Sequence, residues 1–119
     1  MIKNYKQFNE SLRDKLVGPS EDEVLNNLKD LSPNVLFKKS CETNFLKGME
    51  VALEKGADIH ATKDYSLRKS ASNGYTDMVK LLLDRGANVH IINDDPLKNA
   101  IENGHTETAE LIKKYMEKK

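Results

Sequence analysis

The sequence predicts an all-α fold, a solenoid of three short helix-pair repeats with one helix covering its N-terminal end. The first observation behind this is a repeated phrase, GADIH at residues 56–60 returning as GANVH at 86–90. The second is that a shift of 30 residues superimposes much else. Asp94 falls on Asp64, Leu97 on Leu67 and Asn103-Gly104 on Asn73-Gly74, while Phe37, Ser40, Cys41, Met49 and Val51 align more faintly one step earlier. The third is that apolar residues between the phrases recur at helical spacing, bounded by polar caps and glycine stops. Three copies result, at about 32–61, 62–91 and 92–119.

In the middle copy, Asp64 reads as the N-cap of a first helix whose small face is Leu67, Ser70 and Ala71, and Asn73-Gly74 ends it in a left-handed turn. A second helix follows, with Thr76 as its cap and Asp77 in its first turn. Its apolar residues are Met78, Val79, Leu81, Leu82 and Leu83, and Gly86 is its stop. The third copy adds Pro96, suited to a first helical turn behind Asp94. In the first copy Asn44 stands in place of the turn glycine, and Gly48 reads as an interruption of the second helix. No single helix pair of this size buries its apolar face, so the copies must stack. At the end of the array Thr108 replaces Met78 and Lys113 replaces Leu83, which predicts a polar outer face, a terminal cap finished by Lys114, Lys118 and Lys119.

At the other end, Ser20-Glu21-Asp22-Glu23 is a capping-box signature, followed on one helical face by Val24, Leu25, Leu28 and Leu31. It predicts a covering helix over 20–31 within a domain spanning 19–119. Residues 1–18 read as an N-terminal extension, flexible or a short amphipathic helix. Within it Tyr5, Phe8, Leu12 and Leu16 recur at spacings of 3, 4 and 4, a docking candidate the repeats do not require.

Composition limits the function. A chain of 119 residues is one domain's worth, and 19 basic residues balance 19 acidic ones. The split at residue 33 is 5 basic and 6 acidic before it, 14 and 13 after it, so neither part carries the field that gathers nucleic acid. The lone Cys41 has no partner for an internal disulfide, and the sequence contains neither a membrane-length apolar run nor a signal-peptide core behind Met1. The expectation is a cytoplasmic protein that contacts neither membrane nor nucleic acid.

GYTDMVKLLLDRGANVH, residues 74–90, resembles the second helix and following loop of an ankyrin repeat, and GHTETAELIKKYMEKK, residues 104–119, resembles its successor. That family usually has a period of about 33 residues and a Thr-Pro-Leu-His start to the first helix. Here the period is 30, with Tyr65-Ser66-Leu67-Arg68 and Asp95-Pro96-Leu97-Lys98 at that start; the missing residues fall just before Asp64, in the protruding finger. This shortened form is similar to ankyrin repeats encoded by large DNA viruses and some phages, a resemblance that implies the cytoplasm of a host cell as the place of work.

Candidate chemical sites give way to structural readings. His60 and His90 occupy equivalent loop positions, but zinc needs three or four ligands at about 2.0–2.3 Å. Equivalent residues of stacked helices lie about 8–10 Å apart. Each imidazole is expected to bond the backbone of its tight loop, and His105 to serve its turn. Cys41 aligns with Ala71 and Ile101, which read as inward positions, so it reads as a small buried residue and not a nucleophile. No clustered-glycine phosphate loop occurs. No metal, cofactor or catalytic set is expected, and the chain reads as no enzyme.

The resemblance implies a non-catalytic module, an adaptor or inhibitor that binds a protein through loop tips and the exposed, concave side of the first helices. By motif position the contact residues are Lys63, Asp64, Tyr65, Ser72 and Asn73, then Ile92, Asn93, Asp94, Asp95, Glu102 and Asn103, with Glu42 and Thr43 in the first copy. Tyr65 and Ile92 are the expected anchors. Of the adjacent Ile91 and Ile92, alternation predicts one to point inward. A monomer is expected; the alternative is a structural or assembly subunit that self-associates through Tyr5, Phe8, Leu12 and Leu16.

Overall fold

The structure, a computed structural model, describes residues 25, 26 and 30–117. The chain divides into two compact units, 1–32 and 33–119. Of the first, only Leu25, Asn26 and residues 30–32 are described; Leu25 and Asn26 are helical. The docking candidates Tyr5, Phe8, Leu12 and Leu16, most of the covering helix, and Lys118 and Lys119 lie outside the described residues.

The second unit is six helices in three pairs, with no strand among the described residues: α1 (Pro33–Thr43), α2 (Leu46–Glu54), α3 (Ala61–Asn73), α4 (Thr76–Asp84), α5 (Ile91–Glu102) and α6 (Thr106–Glu117). First helices pack on first helices, α1 on α3 and α3 on α5, and second helices do the same, α2 on α4 and α4 on α6. Leu36, Met49, Ala52, Leu67, Ala71, Met78, Val79, Leu82 and Ile112 make the layer between them, fully or almost fully buried. Burial of this kind is worth about 1.5–3 kcal/mol for each large apolar side chain, which stabilises helices of nine residues that could not persist alone.

The turn inside each pair needs a left-handed residue. Gly74 supplies it at φ 73° and ψ 25°, capping α3, and a Cβ there would also stand 2.7 Å from Cγ of the His105 ring. In the first repeat Asn44 takes the position at φ 55°, a residue type that tolerates it better than most.

Four local expectations are corrected. Ile101, in register with the buried Cys41 and Ala71 and expected to face inward, is 55% exposed, because no later helix among the described residues packs on that face of α5. Gly48 does not interrupt α2. It is buried within the helix, where a Cβ would collide with Ser40 Oγ and come within 2.7 Å of Phe45 Cδ2, so the missing side chain lets α1 and α2 approach. Thr76 makes no side-chain cap bond at the start of α4. Its hydroxyl instead lies 2.7 Å from Thr108 Oγ1 in the next repeat. Thr108 is accordingly 1% exposed, a buried polar partner and not part of an outer polar face; Lys113 is exposed as expected.

A second link between α4 and α6 is polar and exposed. The Tyr115 hydroxyl donates to Asp84, whose other carboxylate oxygen takes Lys80 Nζ at 2.8 Å. The bond to Asp84 pushes the Tyr115 pKa above its ordinary value.

Gly48→Ala should lower unfolding free energy by about 1–3 kcal/mol in urea titration, the cost of overpacking, although Ala is ordinarily the better helix former. The Tyr115–Asp84 contribution is present below the ordinary tyrosine range near pH 10 and lost as pH rises through the raised value. Melting temperature measured against pH should therefore lose its alkaline Tyr115 component in Tyr115→Phe.

Candidate functional site

Each repeat enters its first helix through the repeated phrase, and the structure shows what the phrase builds. Asp58 Oδ1 accepts the His60 N–H at 2.9 Å and Asn88 Oδ1 accepts the His90 N–H at 3.0 Å, a side chain closing a tight turn two residues ahead. The chain then runs through three successive left-handed residues, Thr62, Lys63 and Asp64 at φ 54–55°, and the same at Ile92, Asn93 and Asp94 at φ 49–64°. Left-handed backbone costs roughly 1–2 kcal/mol per residue outside glycine. For the β-branched Thr62 and Ile92 it is an outlier.

Named contacts hold these turns. Arg68 donates from Nε to Lys63 O and from Nη2 to Thr62 O, both at 3.0 Å, and its guanidinium lies 5.6 Å from the centroid of the Tyr65 ring. The planar fork suits two adjacent carbonyls and an aromatic face at once, whereas Lys98, its equivalent one repeat later, has no such fork. The rings of His60 and His90 bond the carboxylates four residues on, Nδ1 to Asp64 Oδ1 at 2.9 Å and Nδ1 to Asp94 Oδ1 at 2.7 Å. This corrects the expected contact with loop backbone: the histidine N–H groups meet the Asx side chain, and the rings meet the aspartates.

Asp64 is likewise not an N-cap. Its backbone is left-handed, and its carboxylate, 3% exposed, takes His60 through Oδ1 and the Asn88 N–H through Oδ2 at 2.7 Å. Asn34 does the same for the loop before it, accepting the Asp58 N–H at 3.1 Å. The residue at this position ties down the loop leading into the next repeat.

Asp64 is thereby removed from the expected contact surface, since burial and two partners occupy it. The other predicted positions divide. Lys63, Tyr65, Ile92, Asn93, Glu102 and Asn103 are exposed, Tyr65 by 39% and Ile92 by 46%, while Ser72, Asn73, Asp94 and Asp95 are half-buried. Ile91 is the inward member of its pair. Asn103 Nδ2 donates to Ser72 O at 3.0 Å and lies 2.9 Å from Ser72 Oγ, which joins two predicted positions across repeats. Asp95 accepts from Asn99 at 2.8 Å.

Between α1 and α3 lies a cleft of about 420 Å³, lined by Phe37, Cys41, Ala61 and Tyr65 with Ser66, Thr62 and Asn34, and with Lys38 and Glu42 at opposite sign. Of the eleven predicted contact residues in the two later repeats, Tyr65 alone lines it. Sequence reasoning missed Phe37, Lys38, Ala61 and Ser66; Phe37 was readable only as a core residue, and it is 6% exposed.

The walls of the cleft are largely apolar. Burial pushes the Cys41 thiol pKa up, and Sγ lies 3.6 Å from Ser66 O and 3.7 Å from Ser70 Oγ, so it is a neutral thiol packed between repeats. Ser66 Oγ, buried, has no hydrogen-bond partner. Among the described residues no group of three or more His, Cys, Asp or Glu could hold a metal ion, and no helix is long and apolar enough to cross a membrane.

Comparison with known proteins agrees with this geometry. The family model described as "Ankyrin repeats (3 copies)" matches residues 36–119. Comparisons with curated proteins and with solved structures found no match.

Asp64→Ala removes the acceptor of a part-buried N–H and should cost about 1–3 kcal/mol in equilibrium unfolding. Asp94→Ala, at a carboxylate 40% exposed and bonded only to an exposed histidine, should cost about 0.5 kcal/mol or less.

Proposed function

We propose, from the premise that the chain belongs to the ankyrin-repeat family, that it is a non-catalytic adaptor or inhibitor that grips one protein partner through the first-helix side of its repeats. Ankyrin repeats generally mediate protein–protein interaction. The observation that carries the finer reading is the cleft between α1 and α3, with Tyr65 at its wall and exposed, standing beside a strained turn clamped by Arg68. Strain persists in a fold only where surrounding contacts over-determine it, and such positions gather at binding sites.

An aromatic wall with Phe37 and Ala61 behind it accepts an apolar anchor, and Lys38 and Glu42 fix its approach by complementary charge. Ile92 offers a second apolar contact on the turn of the next repeat. Mixed charge at the rim suits a protein better than a polyanion. A free thiol suits a reducing, intracellular compartment. The 30-residue period keeps a viral or phage inhibitor of a host component within this proposal.

The test is affinity capture from source or host lysate with intact protein, Tyr65→Ala and Tyr65→Ala/Ile92→Ala as baits. A partner held by intact protein should fall by about 30-fold or more in affinity for the double variant, the size of a hot-spot loss of 2 kcal/mol, with melting temperature unchanged. A partner held equally by all three baits would contradict the assignment.

A further inference from the structure

Residues at i, i+3, i+4 and i+7 share one side of a helix, and on α3 the set that begins at Tyr65 continues through Arg68, Lys69 and Ser72. None of the four is buried, and the Arg68 guanidinium lies over the Tyr65 ring, so this is the outward side of the helix. The shift of 30 puts Val35, Lys38, Lys39 and Glu42 at the same places on α1, all exposed. On α5 it puts Asp95, Lys98, Asn99 and Glu102 there, exposed or half-buried.

The three stripes differ in sign. Those of α1 and α3 together hold four cations against the single Glu42, whereas that of α5 holds Lys98 against Asp95 and Glu102, with Asp94 beside them. A chain of zero net charge is thus polarised along its first-helix side, basic over two repeats and acidic over the third. Lys38, Lys39 and Lys69 enter no ion pair among the described residues. Arg68 spends Nε and Nη2 on turn carbonyls but keeps its charge. The basic stripes also flank an apolar opening, since Lys38 and Tyr65 both line the cleft between α1 and α3.

Resting on the reading of that cleft as the partner's anchor point, we infer that its occupant is a protein segment of patterned charge, an apolar side chain set among acidic residues with basic residues displaced toward α5. The spacing follows from the stack. Packed helices lie about 8–10 Å apart, so α5 is about 12–15 Å from the cleft, a distance spanned by about four or five residues of extended chain. Acidic residues beside the anchor meet Lys38, Lys39 and Lys69, and the displaced basic residues meet Asp95 and Glu102. A nucleic acid would suit the first two stripes but would set its phosphates against the third, where like charges repel.

Two end-capped peptides test this on the full chain, read by fluorescence anisotropy and amide chemical shifts. One is Gly-Asp-Glu-Leu-Asp-Gly-Ser-Lys-Lys-Gly; the other, Gly-Lys-Lys-Leu-Lys-Gly-Ser-Asp-Glu-Gly, keeps the leucine and exchanges the signs. The first should bind about 10-fold more tightly or better at low salt, as several exposed pairs acting together allow, and should shift the amides of Lys39, Tyr65 and Lys69. At about 1 M salt, where the Debye length is about 3 Å, the preference should shrink to about twofold or less. Lys38→Glu/Lys39→Glu, at two exposed positions, should erase it with melting temperature moved by less than about 2 °C. Equal binding of the two peptides, with shifts at Phe37 and Tyr65, overturns the inference while leaving the cleft as the anchor point. Undiminished binding of the first peptide with serine in place of leucine removes the cleft and the inference together, as does binding of neither peptide at about 1 mM. An oligothymidylate that shifts the same amides and binds more tightly than the first peptide makes the occupant a nucleic acid and overturns the inference as well.

Discussion

A single side-chain acceptor at the start of one first helix, bonded to a backbone N–H in the loop that leads into the next, is the constraint around which the stack is arranged. Asn34 does this for Asp58 and Asp64 for Asn88. Apolar burial between repeats is larger in total, but it is non-directional and would tolerate sliding. The hydrogen bond is directional, and breaking it strands a polar group, so it fixes where each loop crosses. The same carboxylate of Asp64 also takes the His60 ring, so the loop on its own side is held too.

With the loops fixed at both ends, the turn between them has few residues in which to reverse direction. The period of 30 removes the length of a protruding finger, and the chain completes the entry by three left-handed residues in each of two repeats. That conformation is costly, and Arg68, bonded to two turn carbonyls, offsets part of the cost in the middle repeat. The consequence for binding is geometric. Thr62 and Lys63 are displayed on a turn that Arg68 holds by two carbonyls, and a turn held in advance loses less entropy on engagement.

Much of this architecture was legible because a period repeated three times averages out local ambiguity. The shift of 30 set the helix pairs, their stacking order and the inward place of Cys41, and Asn44 as a left-handed turn residue follows from standing in register with Gly74 and Gly104. What was not legible depended on neighbours distant in sequence. Gly48 looks like a helix breaker until Ser40 and Phe45 are seen against it. Asp64 and Thr76 have the local chemistry of caps, but tertiary partners at Asn88 and Thr108 claim their side chains. The cleft combines Phe37 and Ser66 from different repeats, and no spacing within either repeat encodes that pair. Of the expected surface, Tyr65 and Ile92 were readable because they are apolar where a solvated turn needs no apolar side chain.

The central claim is that the loops are locked to the preceding repeat through Asn34 and Asp64. Native-state hydrogen exchange of the Asn88 and Asp58 amides tests it most directly, because loop N–H groups ordinarily open without global unfolding. The account predicts that Asn88 exchanges about as slowly as the core amides of α4, with Asp58 also protected, and that Asp64→Ala releases Asn88 alone. Exchange of the Asn88 amide at open-loop rates in the unaltered protein would contradict it.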